Sequence, residues 1–392
     1  MYKLENNSKL GYYTVGGNIH YSKPEALIDA TKTDNFPVWN FNNTNFGQVD
    51  WLVEPESDLS DLYRLRAQQL RDRYDYIRIE VSGGADSSTT LYSFLLNEIH
   101  VDEVVFRYPK QGEKNVGNDP FNYKSENTLS EWEFAAKPML EWIAINFPKV
   151  KITIHDYTES MLNDAADEDW VFKSKDYLQP GHAFKHDPIA LKEHKELADT
   201  GKHICVLYGI DKPKLCIRDK KWYLYFIDFQ ANHANTVIGE YNNITIEYFF
   251  WTPDFTEIVQ KQAHIVKNWF TINSQLQHLV RWPNHSVAQR TTYEQLIKPL
   301  IYPDYDSTTF QVAKPSNNFY PEMDQWFYTN FSGTYLYRRW QAGIQLVTDS
   351  IDPKYFNMEA GKPVGFVGFL SPFYCLGEAE YTSTGINDFS KF

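Results

Sequence analysis

Residues 82–88 read Ser-Gly-Gly-Ala-Asp-Ser-Ser, and this is the stretch of the chain best suited to chemistry. Gly83 and Gly84 let the backbone pass close to a ligand and adopt angles that other residues resist. With a strand entering and a helix leaving, exposed N–H groups and the helix N-terminus form an anion site. The hydroxyls of Ser82, Ser87 and Ser88 add neutral donors. Asp86 is the informative member. A carboxylate beside a bound phosphate is repulsive unless a cation such as Mg2+ bridges them. No Gly-Lys-Ser/Thr follows, so the stretch is not a Walker A loop. Glu80 stands where a nucleophile elbow needs its first glycine.

The flanking residues supply the elements that such a loop needs. Residues 76–81, Tyr-Ile-Arg-Ile-Glu-Val, alternate with the period of a strand, and 87–99 place Leu91, Phe94, Leu95 and Ile99 on one helical face. Further strands are expected at 101–108, 150–154 and 204–208. Helices are expected at 60–74, at 126–146 with an interruption at Pro138, and from Pro188 to about 199 with Asp187 as its cap. Strands alternating with helices imply βαβ crossovers and a parallel sheet. Ligands sit beyond the carboxyl ends of such strands, where both 82–88 and 209–212 fall. A hairpin around Asp219-Lys220-Lys221 and a helix at 256–270 are expected further on. The expected organisation is α/β: an N-terminal β-rich cover at 1–75, the parallel-sheet unit at 76–213 and a mixed α+β extension at 214–392.

In this setting the 82–88 stretch resembles the SGGxDS signature of the PP-loop ATP pyrophosphatases, the adenine nucleotide alpha hydrolase-like superfamily. It is most similar to the form found in the synthetase domain of asparagine synthetase. The resemblance covers residues 76–211, roughly a third of the chain. It implies a HUP-like sheet and cleavage of ATP to AMP and pyrophosphate. Ser82, Gly83, Gly84, Ser87 and Ser88 would hold the pyrophosphate, and Asp86 would help to hold Mg2+. By the same resemblance Gly209 and Asp211 face the pyrophosphate and the metal, although the acidic string of that family motif is absent. Lys212 and Lys214 either offset phosphate charge or are simply solvated. The backbone at Phe106 cradles adenine, and Arg107 either meets a phosphate or substrate carboxylate or lies free on the surface. One departure concerns the strand feeding the loop, usually apolar on both faces but here carrying Arg78 and Glu80. Either a charged N-terminal layer covers one sheet face or the pair is salt-bridged.

The implied activity is adenylation of a small-molecule or nucleotide substrate for attack by a nitrogen nucleophile, with Asp86 and Lys212 as the groups nearest the chemistry. Glutamine-dependent relatives use an N-terminal Cys nucleophile. Residue 2 is Tyr, so ammonia or an amine from solution or from a donor protein is the expected nucleophile. Two alternatives differ in class. One is sulfur chemistry like that of sulfonucleotide reductases or tRNA thiolases, against which the scarcity of Cys counts. The other is a nucleotide-binding module without turnover, against which the intact Ser82, Gly83, Gly84 and Asp86 count.

Other features read more simply. His182 and His186 have HxxxH spacing, but Pro180-Gly181 and Asp187-Pro188 favour a loop over a metal-binding helix. Asp164, Asp167, Glu168 and Asp169 read as a solvated acidic face, and Trp251 to Phe255 as core packing. Cys205, Cys216 and Cys375 form no CxxC pair, which favours a reducing, cytoplasmic setting over a disulfide framework. The N-terminus has no signal-peptide h-region and no run is long enough to span a membrane. A net charge of −13 repels a polyanionic duplex on average, so nonspecific nucleic-acid binding is not the default. The 27 Tyr, 26 Phe and 11 Trp favour broad packed surfaces.

Overall fold

A computed structural model of the chain describes residues 8–108, 132–156, 170–173, 178, 188–228, 241–283, 287–304, 327–359 and 361–380. Its centre is a five-stranded, wholly parallel sheet flanked by helices, accompanied by smaller antiparallel sheets. In chain order the strands are β1 (Tyr12–Val15), β2 (Asn18–His20), β3 (Val38–Asn40), β4 (Tyr76–Val81), β5 (Glu103–Tyr108), β6 (Lys151–Asp156) and β7 (Ile204–Tyr208). Then come β8 (Lys214–Arg218), β9 (Lys221–Tyr225), β10 (Ile244–Tyr248), β11 (Phe356–Glu359), β12 (Lys362–Phe366) and β13 (Tyr374–Glu378).

The parallel sheet runs β10-β7-β4-β5-β6. The chain therefore builds outward from β4 through β5 to β6, then returns to add β7 and β10 on the other side. The reversal falls between β4 and β7, which pair directly from Tyr76↔Ile204 to Glu80↔Tyr208. The fifth strand, Ile244–Tyr248, lies beyond the boundary expected at 213, and completes the sheet by pairing with β7. A five-residue strand has too little period of its own to mark it as part of a distant sheet. The hairpin expected after the sheet unit is β8–β9, turned at Asp219 and Lys220, and β13 returns from the far end of the chain to pair with β9.

Alternation along β4 gives the sheet two unlike faces. Ile77, Ile79 and Val81 form an apolar face, and helices Leu59–Arg73 and Ala85–Leu95 pack on β4 and on each other. Arg66 of the first helix is buried and donates to Glu247 of β10 at 3.1 Å and to the Tyr248 carbonyl at 3.0 Å. On the other face, Arg78 and Glu80 are indeed salt-bridged, at 3.4 Å. Glu80 also accepts two bonds from Arg107 of β5, at 3.1 and 3.3 Å. The cover there is helix Pro188–Ala198 rather than an N-terminal layer: Glu193 reaches Arg78 at 2.8 Å and His155 of β6 at 2.5 Å.

The N-terminal region is mixed rather than β-rich. It holds the three-stranded sheet β2-β1-β3, but also helices Lys23–Thr33 and Leu59–Arg73. Trp39 stacks on Phe41, and Phe41, Phe46, Phe226, Trp251 and Tyr374 join in one aromatic core, which accounts for much of the ring content and places Trp251 in packing. Asp228 fastens this core: buried, it meets Lys23 Nζ at 2.8 Å, the Tyr13 hydroxyl at 2.7 Å and the Phe369 amide at 2.8 Å. Among the described residues, no helix is long and apolar enough to cross a membrane.

His194 sits inside the charged layer, fully buried, and neither ring nitrogen has a hydrogen-bond partner among the described residues. Burial, reinforced by Arg78 and Arg107, pushes its imidazole down to about 3. The unfolded chain therefore takes up this proton first as pH falls, and stability declines from about pH 6.5 downward, by up to about 1.4 kcal/mol per pH unit. We expect His194→Leu to flatten the loss of stability between about pH 6.5 and 5, measured by urea denaturation. A slope equal to that of the wild type would show that the ring is not held neutral in the folded state.

Candidate active site

Two loops meet at the carboxyl ends of β4 and β7. The first, residues 82–88, turns at Gly83, whose φ of +70° is a left-handed conformation suited to glycine. A Cβ there would also lie 2.7 Å from the Ala135 carbonyl carbon, so the turn packs directly on the backbone of the π-helical turn Trp132–Ala136. Helix Ala85–Leu95 then begins with Asp86 in its first turn. The serines are not equivalent. The Ser87 hydroxyl accepts from the Ser82 amide at 3.2 Å and donates to the Gly84 carbonyl at 3.2 Å, bracing the loop from within. Ser88 is completely buried with its hydroxyl 3.7 Å from the Met139 sulfur, so in this structure it is a packing group and not an exposed donor.

The second loop follows Tyr208. Gly209 passes so close to the first that a Cβ would lie 2.8 Å from both the Asp86 carbonyl oxygen and the Thr90 hydroxyl. The Ile210 carbonyl accepts from the Phe250 and Trp251 amides at 3.2 and 3.0 Å, anchoring the loop to the turn after β10. The Ile210–Asp211 peptide bond is cis. Tyr293 pins the next stretch by donating to the Pro213 carbonyl at 2.7 Å.

These anchors bring Asp86, Asp211, Lys212 and Lys214 into one cluster. Lys212 Nζ donates to Asp86 Oδ2 at 2.6 Å and to Asp211 Oδ1 at 3.2 Å. Its ammonium thus stands between the two carboxylates expected to share a metal. Lys214 Nζ lies 3.1 Å from Asp211 Oδ2 and donates to Glu294 at 2.7 Å. The Tyr302 hydroxyl donates to Asp86 Oδ1. Lys212 and Lys214 are therefore buried and paired, which corrects the reading of either as merely solvated.

Burial alone would neutralise Asp211, Lys212, Lys214 and Glu294, but they hold one another ionised. Asp211 overcomes burial through Lys214 and Lys212 and stays well below the usual carboxylate range. Lys212, with Asp86 and Asp211 beside it, and Lys214, with Asp211 and Glu294, are both raised above the usual lysine range against their burial. Glu294 is lowered against its burial by Lys214 and Lys212, and Tyr302 is raised by burial and by Asp86. Each shift leads away from neutrality, so these five groups are suited to fixed charge and positioning rather than to exchanging protons near pH 7.

Phe106 is buried and stacks on Trp132 at 5.6 Å, at the end of β5 beside the first loop. Arg107 is engaged with Glu80 rather than lying free on the surface. Cys205 and Cys216 are buried in strands; burial raises the Cys205 thiol and pushes Cys216 up to about 12. His182, His186, Asp164, Asp167, Glu168 and Asp169 lie outside the described residues. Glu294 and Tyr302 were not anticipated. Helix Val287–Ile301 carries the buried Tyr293, Ile297 and Ile301, and Pro303 marks its end, but nothing local distinguishes Glu294 from any other helical carboxylate.

A metal fits this donor set only under a condition. Among the described residues no group of three or more His, Cys, Asp or Glu side chains could hold one alone. The carboxylates that approach each other here, Asp86 and Asp211, are both bonded to Lys212. A bare divalent ion would have to displace that buried ammonium from its carboxylates, whereas a polyphosphate arriving with its ion offers the ammonium new oxygen partners. The residues therefore fit a metal–polyphosphate pair. No family model matches the chain, and a search of curated proteins finds no match.

The close approach at Gly209 yields a direct test. Gly209→Ala must push the 82–88 and 209–212 loops apart, and we expect a loss of about 1–3 kcal/mol in stability, measured by denaturant titration. Wild-type stability in the variant would mean that the two loops do not touch.

Proposed function

We propose that the chain is an ATP pyrophosphatase of the PP-loop type, forming AMP and pyrophosphate as it adenylates a substrate for attack by a nitrogen nucleophile. The observation that carries the reading is the position of the 82–88 loop: it leads from the central strand of a parallel sheet into a helix, at the strand-order reversal, and faces the Lys212-bearing loop. Numbered within the sheet, the strands run 5-4-1-2-3. That order supports a HUP-like assignment, in which the ligand crevice would lie between β4 and β7.

In this reading Gly83 and Gly84 bring backbone N–H groups to the pyrophosphate end of ATP, and Ser87 keeps the loop in shape. Lys212 exchanges its carboxylates for phosphate oxygens and offsets their charge. Asp86 and Asp211 would hold Mg2+, which supplies neutralising charge to the phosphates when bound. The backbone at Phe106 borders the adenine, its ring fixed by Trp132. Attack at the α-phosphorus then relies on in-line placement and charge compensation, consistent with a cluster in which Asp211, Lys212 and Lys214 titrate far from neutrality. Ammonia or an amine, free or delivered by a donor protein, completes the ligation. The raised thiols of Cys205 and Cys216 give sulfur transfer no support at those positions.

Phosphorus NMR of protein incubated with ATP, Mg2+ and a metabolite extract should show AMP and pyrophosphate, with Asp86→Asn reducing turnover by about 100-fold or more while the fold survives. ADP and orthophosphate as products would refute the assignment. Mass spectrometry of the same mixture, searched for adenylated metabolites, would name the acceptor.

A further inference from the structure

Lys212 and Lys214 are both buried, and every partner described for their ammonium groups is a carboxylate. Three carboxylates, from Asp86, Asp211 and Glu294, surround two ammonium groups, so the cluster carries one formal negative charge. A polyphosphate could reach these ammonium groups only if carboxylates gave up their lysines. The groups best placed to do so are the outermost. The side chain of Glu294 is 32% exposed and that of Asp86 26%, against 8% for Asp211. Glu294 and Tyr302 also differ in origin from the rest. They lie on and just after helix Val287–Ile301, outside both loops and outside the parallel sheet, and the helix end is tied to Tyr63 through the Ile301 carbonyl at 2.5 Å.

We propose that Lys212 and Lys214 form a two-ammonium clamp for a polyphosphate tail, and that Glu294 and Tyr302 hold this clamp shut in the free protein. The proposal rests on the nucleotide reading above and adds to it a second phosphate ligand, Lys214, and a defined exchange. Lys214 leaves Glu294 for a phosphate oxygen. Lys212 does the same with Asp86, and Tyr302 releases the other oxygen of Asp86, freeing that carboxylate to face a cation. Helix Val287–Ile301 keeps its Tyr293 bond to the Pro213 carbonyl but loses the Glu294 contact with Lys214 in the same event. Occupancy of the phosphate site is thereby coupled to the helix, and through Tyr63 to helix Leu59–Arg73.

A purely structural network makes the opposite prediction for Glu294, because removing one partner of a buried pair leaves the other charge uncompensated and loosens the site. The test is calorimetric titration of the full chain with inorganic tripolyphosphate and Mg2+, and in parallel with ATP and Mg2+. Glu294→Gln should bind tripolyphosphate roughly fivefold or more tighter than wild type, within the usual range of coupling between sites. Tyr302→Phe should also bind more tightly. Lys214→Gln should bind at least about tenfold more weakly and abolish the gain from Glu294→Gln when the two are combined. Amide exchange in residues 287–301 should quicken on tripolyphosphate addition. If the wild type binds both probes and neither Glu294→Gln nor Tyr302→Phe binds tighter, the clamp is overturned while the nucleotide reading stands. If no protein in the set binds either probe, both are overturned. Tyr302→Phe removes only a hydroxyl and keeps the ring beside Phe250, so it decides the matter should Glu294→Gln fail to fold.

Discussion

The direct pairing of β4 with β7 is the constraint on which the rest of the molecule depends. Parallel strands cannot be joined by a tight turn, and here the chain travels through β5, β6 and their crossovers before it returns beside β4. That return brings the carboxyl ends of β4 and β7 side by side, and with them residues 82–88 and 209–212. The contact between the loops is backbone to backbone: only glycine at 209 fits against the Asp86 carbonyl. Everything chemical in the site hangs from this contact, because Asp86 and Asp211 could not share one ammonium if the strands were separated by a third.

Such a sheet could be covered by apolar helices on both faces, yet here charge is buried on both. Arg66, Tyr74 and Arg73 converge on Glu247 at one edge, and Arg78, Glu80, Arg107 and Glu193 form a layer over the other face. Buried pairs contribute less to net stability than hydrophobic groups of equal volume, but breaking one is costly. They favour one register over its neighbours, since a one-residue slip of β4 would carry Arg78 and Glu80 to the apolar face. The polar β4 is thus compatible with a central strand because its charges find partners on β5 and on helix Pro188–Ala198.

The site repeats this pattern with a different outcome. Its charges are also mutually compensated, but Asp86 and Glu294 keep partial access to solvent, and the compensation is unequal by one negative charge. In the clamp proposed above, that access is where the site would exchange partners with an incoming polyanion. The displaced titrations of Asp211, Lys212, Lys214 and Glu294 follow from the same proximity. They keep the groups charged in the range where a nucleotide would be met, which favours electrostatic positioning over proton transfer.

Local chemistry was legible in the sequence where backbone geometry is encoded locally. Gly83-Gly84 with Asp86 and the flanking serines marked the loop, the alternation of 76–81 and the wholly apolar run of 204–208 marked β4 and β7, and Asp219-Lys220 marked the hairpin turn. Trp251 was rightly read as packing. Sequence could also state that loops at 82–88 and 209–212 leave the same edge, since all parallel strands point one way. It could not state their adjacency, which depends on strand order. Nor could it find the fifth strand at Ile244–Tyr248, whose identity comes only from β7 beside it. Glu294 and Tyr302 were beyond its reach for the same reason: their partners Lys214 and Asp86 are 80 and 216 residues away, and a side chain that acts through a distant partner leaves no period or spacing behind. Lys212 and Lys214 lie between these cases. Their charge was plain from the sequence, but whether that charge met solvent, phosphate or carboxylate was decided by burial, and burial is a property of the folded chain alone.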